Sequence, residues 1–490
     1  MNGADTIAAI STPPGEGGIG IVRLSGPDAI GIASRVFVPA RGKKGRIKSR
    51  RMLYGLIADP QTGEEIDEVL LTVMPAPRTY TREEMAEINC HGGSVPLGRT
   101  LELVLREGAR LALPGEFTKR AFLNGRMDLT QAEAVLELIR AKSEEAGRAA
   151  MAQLKGGLGG KIKNQADRLA GICARLEASI DFPEEEIETG TMAEFLAGIE
   201  DIRQDILVLA RTFEEGRLLR DGVKTAILGK PNVGKSSLLN ALLGVPRAIV
   251  TEIPGTTRDV VSEYMDLDGH VLRIMDTAGI REAADITEAE GVRRSLDALD
   301  DADLVLCVLD GSSAPNEEDF LIIERIKAGN KRCILVINKT DLPRAWSVQA
   351  VKSWPFKTIE SAPGGAGPHP AGIIPVSAKT GEGMAALKKG MIGSLKRKGP
   401  PTETSPTETS LTETNPAETS PVVTNIRHKS ALNGAARALE RAITAIRTGM
   451  PAEIVSMEVR DALHELGAIT GQVGAEEILE KIFAEFCIGK

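Results

Sequence analysis

Aromatic residues make up only 3% of this 490-residue chain. So low a content argues against a surface built from base-stacking platforms. Cysteine is also sparse. Cys90, Cys173, Cys307, Cys333 and Cys487 are scattered, with no C-x-x-C pair. Neither a zinc site nor a disulfide framework is expected, and the thiols read as reduced groups of a cytoplasmic protein. Cys307 and Cys333 fall within apolar runs and are expected in a core. There is no run of about 18 apolar residues, so no membrane span is expected. Met1 to Gly18 lacks the basic-then-apolar form of a signal peptide. An excess of positive charge is missing too: the net charge of −8 argues against a generally basic coat for nucleic acid. One local exception, Arg41 to Arg51, carries seven basic residues and no acid. It could meet phosphates in a salt-dependent way, or be a solvated loop between strands.

What is present begins with hydrophobic residues, 42% of the chain, enough for roughly two to four domains with cores of their own. The most informative stretch is Gly229-Lys230-Pro231-Asn232-Val233-Gly234-Lys235-Ser236. It satisfies G-x-x-x-x-G-K-[ST] at every required position. An apolar run, Val223 to Leu228, precedes it as an expected strand, and a helical pattern follows from Ser237 to Leu243. Backbone N–H groups of such a turn, with the helix N-terminus, make a concavity for phosphate oxygens. Lys235 would reach the β and γ phosphates, and the Ser236 hydroxyl would face Mg2+.

Further segments follow in order. Asn338-Lys339-Thr340-Asp341 comes after the apolar strand Cys333 to Ile337. A carboxylate at Asp341 can accept from guanine N1–H and the 2-amino group, a donor pair that adenine lacks. The Lys339 stem can cover the ring. Ser377-Ala378-Lys379, after Ile373 to Val376, would support the base from the other side. Asp276-Thr277-Ala278-Gly279 would place Asp276 near Mg2+ and the Gly279 amide near the γ-phosphate. An Asp268-Gly269 turn suits the hairpin leading into that strand. Gly255-Thr256-Thr257-Arg258-Asp259 lies where a switch loop belongs, with Thr257 as second Mg2+ ligand. Together these predict a GTPase domain.

Small GTPases often carry a glutamine just after D-x-x-G to orient the attacking water. Ile280 stands there and can do nothing of the kind. Two substitutes are visible. The Asn232 side-chain oxygen could hold a monovalent cation against the phosphates. In the acidic segment Asp285 to Glu290, Glu288 could polarise a water. From composition alone Glu282 and Glu290 serve equally well, and the segment could simply be a solvated helix start.

Around this domain the pattern changes twice. Residues 1–125 are glycine- and proline-rich with short apolar runs (Ile19 to Leu24, Val69 to Met74, Met85 to Cys90) and predict an α+β domain. Residues 126–220 show helical periodicity at Ala132, Val135, Leu136, Leu138 and Ile139, broken at Asp181-Phe182-Pro183. Residues 425–490 are helical again at Leu432, Ala436, Leu439, Ile443 and Ile446. The two helical stretches are expected to pack together, with an α/β GTPase domain over 221–395 inserted between them. Residues 396–424 contain Pro401-Thr402-Glu403-Thr404-Ser405, repeated at 406 and in degraded form at 411 and 416, and are expected to be a disordered acidic linker. A second insertion, 344–371, is rich in glycine and proline.

The segments G-K-P-N-V-G-K-S-S, T-E-I-P-G-T-T-R-D and D-T-A-G-I-R-E resemble the tRNA modification GTPases of the MnmE (TrmE) family. So do Pro13-Pro14-Gly15 to Gly26, His91-Gly92-Gly93, Pro114-Gly115-Glu116-Phe117 to Glu133, Asp181-Phe182-Pro183-Glu184-Glu185 and the terminal Cys487-Ile488-Gly489-Lys490. The resemblance spans nearly the whole chain, apart from the repeat linker and the 344–371 insertion. It implies a multidomain fold: an α+β N-terminal folate-binding-like dimerisation domain, a discontinuous α-helical domain and an inserted Ras-like P-loop GTPase domain.

For the nucleotide, the resemblance implies GTP contacts from Asn232, Val233, Gly234, Lys235, Ser236 and Ser237. It adds Thr251, Glu252, Ile253, Pro254, Gly255, Thr256 and Thr257, then Asp276, Thr277, Ala278 and Gly279. Asn338, Lys339, Asp341, Ser377, Ala378 and Lys379 complete the set. It implies Mg2+ on Ser236 and Thr257, K+ on Asn232, Thr251, Ile253 and Thr256, and Glu288 as the catalytic glutamate.

A second chemistry is implied at the first domain, a 5-formyl- or methylene-tetrahydrofolate site at Arg23, Glu87, Arg126 and Lys490. Glu87 could pair with the aminopyrimidine edge of a pterin, and the cations with carboxylates or a formyl oxygen. Without the resemblance the residues read as ordinary ones, Glu87 in a structural salt bridge and Arg126 on a turn after Asn124-Gly125. Cys487 would act in tRNA modification, on a flexible tail whose Lys490 favours thiolate character, or be a buried packing residue. Gly489 and Lys490 do not fit the prenylation pattern.

The resulting expectation is a potassium-activated GTPase of the cytoplasm, a homodimer. With the flavoprotein MnmG (GidA), in a heterotetramer, it would install a carboxymethylaminomethyl or aminomethyl group at C5 of wobble uridine in tRNA. A regulatory RNA- or ribosome-associated GTPase without modification chemistry is the alternative, and would have no use for a folate site. A folate-dependent aminomethyltransferase with a vestigial GTPase domain is disfavoured by the intact guanine motifs.

Overall fold

The computed structural model describes residues 5–40, 49–181, 191–244, 263–267, 269–275, 298–346, 372–395, 422–473 and 476–490. Two compact units emerge. One comprises 1–139, 150–210 and 426–490; the other comprises 140–149 and 211–425.

In the first unit, seven strands form one sheet: β1 (Ile7–Ile10), β2 (Gly17–Ser25), β3 (Phe37–Pro39), β4 (Leu53–Ala58), β5 (Glu65–Met74), β6 (Met85–Gly92) and β7 (Arg110–Leu111). Their order is β3-β4-β5-β6-β2-β1-β7, antiparallel except for β1 with β7. The period-two alternation of a strand sorts its side chains by face. Val22, Leu24, Leu71, Val73, Ala86 and Ile88 point to one side, where they pack with the helices Ala29–Val36 and Ser94–Arg106. The opposite face therefore receives Arg23 and Glu87, which are register partners on β2 and β6. Phe117, from the helix Glu116–Leu123, packs there with Ile7, Ala9 and Met85.

Helices complete this unit. Gly157–Asp181 packs on Ala452–Thr470, which packs on Ile426–Arg447. Ile426–Arg447 buries Ala431, Gly434, Ala435, Ala438, Ala442 and Ala445, a stripe of small residues that lets its neighbour approach closely. The two helical stretches on either side of the GTPase segment thus share one core. A buried cluster ties them. Glu133, on the helix Leu129–Arg140, accepts from Arg427 at 2.9 and 3.1 Å and lies 2.7 Å from Nε2 of His428, which is fully buried. Arg427 also donates to the carbonyls of Ala468 and Ile469, the last turn of its neighbour helix. The terminal helix Glu476–Ala484 brings Phe483 and Phe486 against Ala121, Met127, Leu129 and Ala132.

The second unit holds a six-stranded sheet: β8 (Val223–Leu228), β9 (Glu263–Leu267), β10 (His270–Ile274), β11 (Leu304–Asp310), β12 (Arg332–Asn338) and β13 (Ile373–Pro375). Its order is β13-β12-β11-β8-β10-β9 and it is parallel apart from the β9–β10 hairpin. Both faces are covered, as parallel sheets require. Leu304, Leu306, Val308, Ile334 and Val336 pack with the helices Lys235–Leu243 and Met384–Leu395 on one side. Val305, Cys307, Leu309 and Leu335 pack with Glu317–Ala328 on the other. Cys307 is buried as expected, whereas Cys333, near the start of β12, is only partly buried against that core. Among the described residues no helix is long and apolar enough to cross a membrane.

Burial pushes the Glu133 carboxyl upward, but His428 and Arg427 more than reverse this and hold it below the usual range. A carboxyl depressed in the folded state stabilises above its unfolded value, near 4.5, and that contribution is lost as pH falls through the lower folded value. The urea midpoint of the helical signal should therefore fall as the pH drops below 4.5. Glu133→Gln should remove this part of the pH dependence. At neutral pH, Arg427→Met should destabilise by about 3 kcal/mol, since it leaves a buried carboxylate with His428 in place of two partners.

Candidate functional site

The turn after β8 folds as its glycines demand. Gly234 lies at φ 95°. A Cβ there would sit 2.3 Å from Nδ2 of Asn338, so no other residue fits without displacement. Asn232 is exposed and also left-handed, at φ 63°. Lys235 begins its helix and folds back, its ammonium donating to the carbonyls of Gly229 at 2.7 Å and Lys230 at 2.9 Å. Burial lowers its pKa. The ammonium thus spans the loop it belongs to. Ser236 is half-buried in the first helical turn, and Ser237 is exposed.

Asn338, at the end of β12, is the hub of this region and is only 2% exposed. Its Nδ2 donates to the Val233 carbonyl at 2.9 Å, and its Oδ1 accepts from the Ala378 amide at 3.0 Å. One side chain so fastens the phosphate-type loop to the segment after β13. Lys339 is left-handed, at φ 64°, and its ammonium meets Asp310 at 2.6 Å. Asp341 accepts from the Ser377 hydroxyl at 2.7 Å, and Ser377 in turn accepts from the Thr380 amide. The Ser377 bond, aided by Lys379 and Lys339, holds the Asp341 carboxyl below its usual range. It remains ionised, with one oxygen oriented by Ser377. The positions Thr251, Glu252, Ile253, Pro254, Gly255, Thr256, Thr257, Asp276, Thr277, Ala278, Gly279 and Glu288 lie outside the described residues, as do Glu282 and Glu290.

A second cluster lies on the face of the first sheet opposite the helices Ala29–Val36 and Ser94–Arg106. Arg23 and Glu87 pair at 2.8 and 2.9 Å, so the salt bridge considered for Glu87 exists and joins two of the expected site residues. The Arg23 guanidinium also donates to the Gly489 carbonyl at 3.3 Å, and the Ser11 hydroxyl donates to the same carbonyl at 3.1 Å. The tail expected to be flexible is therefore held. Gly489 lies at φ 92°, and a Cβ there would meet the Ile10 carbonyl at 2.4 Å. Lys490 is half-buried. Burial depresses its pKa first, and Arg23 adds to this, while Cys487 and Glu87 oppose it. Lys490 is thus placed within electrostatic reach of Arg23, Glu87 and Cys487. Cys487 is exposed, not buried.

Tyr80, which sequence reasoning passed over, lies between the cations. The Arg126 guanidinium sits 4.6 Å from its ring centre and that of Arg23 5.9 Å, while its hydroxyl bonds Thr118 at 2.9 Å. Its signal was faint: one of three tyrosines, just before β6. Arg23, Glu87, Arg126, Lys490 and Cys487 thus come to one region of this unit from four distant parts of the chain.

A parallel sheet whose first strand passes through a glycine turn into a helix, with an N-K-x-D segment closing the next strand but one, defines a P-loop GTPase domain. The chain is similar throughout to more than that domain. The profile of the GTP-binding protein TrmE N-terminus matches residues 6–126, and that of the MnmE helical domain matches 129–487. The tRNA modification GTPase MnmE of a Thermoanaerobacter species is 46% identical over 487 residues, covering 99% of each chain. That of Acetivibrio thermocellus is 44% identical over 488 residues, again 99% of each. That of Moorella thermoacetica is 46% identical over 487 residues. This chain belongs to the MnmE family of tRNA modification GTPases.

Gly234→Ala should displace Asn338 and weaken guanine-nucleotide binding by at least about tenfold, because it combines a left-handed backbone with a steric clash. Titration with a fluorescent GDP analogue reads this directly, and unchanged affinity would contradict the packing described.

Proposed function

We propose that this chain is a cytoplasmic GTP hydrolase that takes part in tRNA modification, and that it works as a homodimer with a flavoprotein partner of the MnmG (GidA) type. Together they would install a carboxymethylaminomethyl or aminomethyl group at C5 of wobble uridine. The observation that carries this reading is the gathering of Arg23, Glu87, Arg126 and Lys490 in the same unit as the exposed Cys487. A GTPase with regulatory work alone has no need of such a cluster.

In the GTPase domain, Asp341 reads guanine, with Ser377 holding one of its oxygens. Asn338 sets the distance between base and phosphate segments, and Lys339 flanks the base. Lys235 turns from the loop carbonyls to the phosphates when nucleotide enters. Ser236 offers a hydroxyl oxygen at a helix N-terminus, a hard donor that suits Mg2+, with Thr257 as its partner ligand. Asn232 presents a side-chain oxygen on an exposed left-handed turn, which suits a weakly hydrated K+ joined by Thr251, Ile253 and Thr256. Such a cation would neutralise charge developing on the phosphates. Glu288 would polarise the attacking water.

At the other cluster, the half-buried Glu87 suits the donor edge of a pterin, and the cations Arg23, Arg126 and Lys490 suit the carboxylates of a 5-formyl- or methylene-tetrahydrofolate. That cofactor supplies a one-carbon unit when bound. Cys487, on a held tail beside Lys490, is the nucleophile candidate. Dimerisation falls to residues 1–125, and the helical stretches 126–220 and 425–490 carry the inserted GTPase domain.

Two measurements test the reading. GTP turnover should rise at least about tenfold when potassium replaces sodium, and Asn232→Ala should erase the difference. Equal rates in both salts would assign the missing charge to another group, such as Arg258 or Arg281. Cys487→Ser should retain GTP hydrolysis and dimerisation yet fail to restore modified wobble uridine in a strain lacking the protein, as read by tRNA nucleoside analysis. Serine keeps the size but is a far poorer nucleophile at neutral pH. Full restoration would show that the Cys487 thiol is not needed for modification.

A further inference from the structure

The phosphate-type loop is fastened on both sides of its left-handed residue, and only one fastening belongs to a guanine-site motif. On the far side of Asn232, Asn338 holds the Val233 carbonyl. On the near side, the Lys230 ammonium meets Asp319 at 2.8 Å. Asp319 comes from a different helix, Glu317–Ala328, and its side chain is only 3% exposed. The carboxylate is built in. Its Oδ2 also accepts from the Asn316 amide at 3.0 Å, and the Asp319 amide donates to the Asn316 side chain at 3.3 Å, a reciprocal helix cap. Its Oδ1 is buried with no hydrogen-bond partner among the described residues. A helix cap needs no lysine, and a lysine on a phosphate loop would ordinarily be free to reach phosphate. Here it is turned away and neutralised.

We propose that Asp319 is a positioning residue for nucleotide binding, acting through Lys230. The left-handed conformation at Asn232 is disfavoured for a residue with a side chain, and it persists where surrounding contacts over-determine it. Lys230 and Val233 are the anchored residues on either side of the turn. The Lys230 carbonyl is also one of the two oxygens that Lys235 occupies in this structure. Holding Lys230 therefore fixes the loop wall against which Lys235 is parked and from which it moves to phosphate. The loop is set in its phosphate-receiving form before nucleotide arrives, so less ordering remains to be done on binding. Because Lys230 is neutralised by Asp319, the charge offered to the phosphates is that of Lys235.

The inference rests on the GTP reading of this loop, and the full-length protein tests both separately. If wild-type protein does not bind a fluorescent GDP analogue, the GTP reading fails. If it binds, Asp319→Asn and Lys230→Met should each raise the Kd and the KM for GTP by about tenfold, while kcat changes less than twofold. The double variant should be no worse than either single one, since both break the same link. Lys230→Arg should bind nearly as wild type. Equal affinity in wild type and variants, with only the melting temperature lowered, would reduce the pair to a structural contact. Tighter binding by Asp319→Asn would mean that the carboxylate merely withholds Lys230 from the phosphates. Either result overturns the proposal. Should Asp319→Asn fail to fold, Lys230→Met decides alone: an unchanged Kd overturns it, and a tenfold rise supports it.

Discussion

Everything at the nucleotide-type site is referred to the buried carboxamide of Asn338. An amide has one donor end and one acceptor end, and here each is spent on a different backbone segment, Val233 on one side and Ala378 on the other. Inside a protein such bonds are stronger than in water, and an unmet partner is correspondingly costly. The distance between the phosphate-type loop and the Ser377–Lys379 segment is therefore set by one rigid group. Gly234 is the consequence in sequence, since anything larger would occupy the space of that amide. Lys339 follows Asn338 directly and Asp341 three residues on, and each is oriented by its own partner, Asp310 and Ser377. Local rules of helix and strand thus deliver the segments, and a single side chain sets their separation.

The first sheet applies a different constraint. Its helix-covered face is apolar, so the alternation of β2 and β6 obliges Arg23 and Glu87 to the other face and, by register, beside one another. Half-buried charges so placed need partners. In this structure each serves the other, and Arg23 has a further acceptor in the Gly489 carbonyl. The last residues are held by that carbonyl rather than by their side chains. Cys487 can then remain exposed, while Lys490 is half-buried, where burial and then Arg23 disfavour its protonated form.

The legible part of the chain was the part governed by local rules. β8 ran from Val223 to Leu228 as its apolar pattern required, and the glycine turn led into a helix at Lys235. The separation of Val22 and Leu24 from Arg23 could be read from alternation alone. Partnerships across long stretches were not legible. Nothing in the local pattern links Lys230 to Asp319. Tyr80 gives no periodic signal, and its place between two guanidinia depends on the approach of Arg126 from another element. The tail's restraint comes from a main-chain carbonyl, a group that every sequence has and that no side-chain pattern reports.

The helical core raises a question of order. Glu133 is among the first residues of that core, and its partners Arg427 and His428 arrive after the entire GTPase segment. Closing so long a loop costs more entropy than closing a short one, though the cost grows only slowly with length. A carboxylate of that burial is unfavourable in an apolar setting without its cation. The apolar residues Leu129, Ala132 and Leu136 turn this side of the helix Leu129–Arg140 inward, and Arg427 offsets the cost of burying Glu133 with them. The segment between can fold as a separate unit in the meantime, since its own cores draw on residues 211–425. Within it, the Thr212 hydroxyl accepts from the Val423 amide at 3.0 Å, which brings the two ends of that segment together. That bond shortens the effective loop that Glu133 and Arg427 must close. Buried charge therefore makes the helical core conditional on an insertion whose ends already meet.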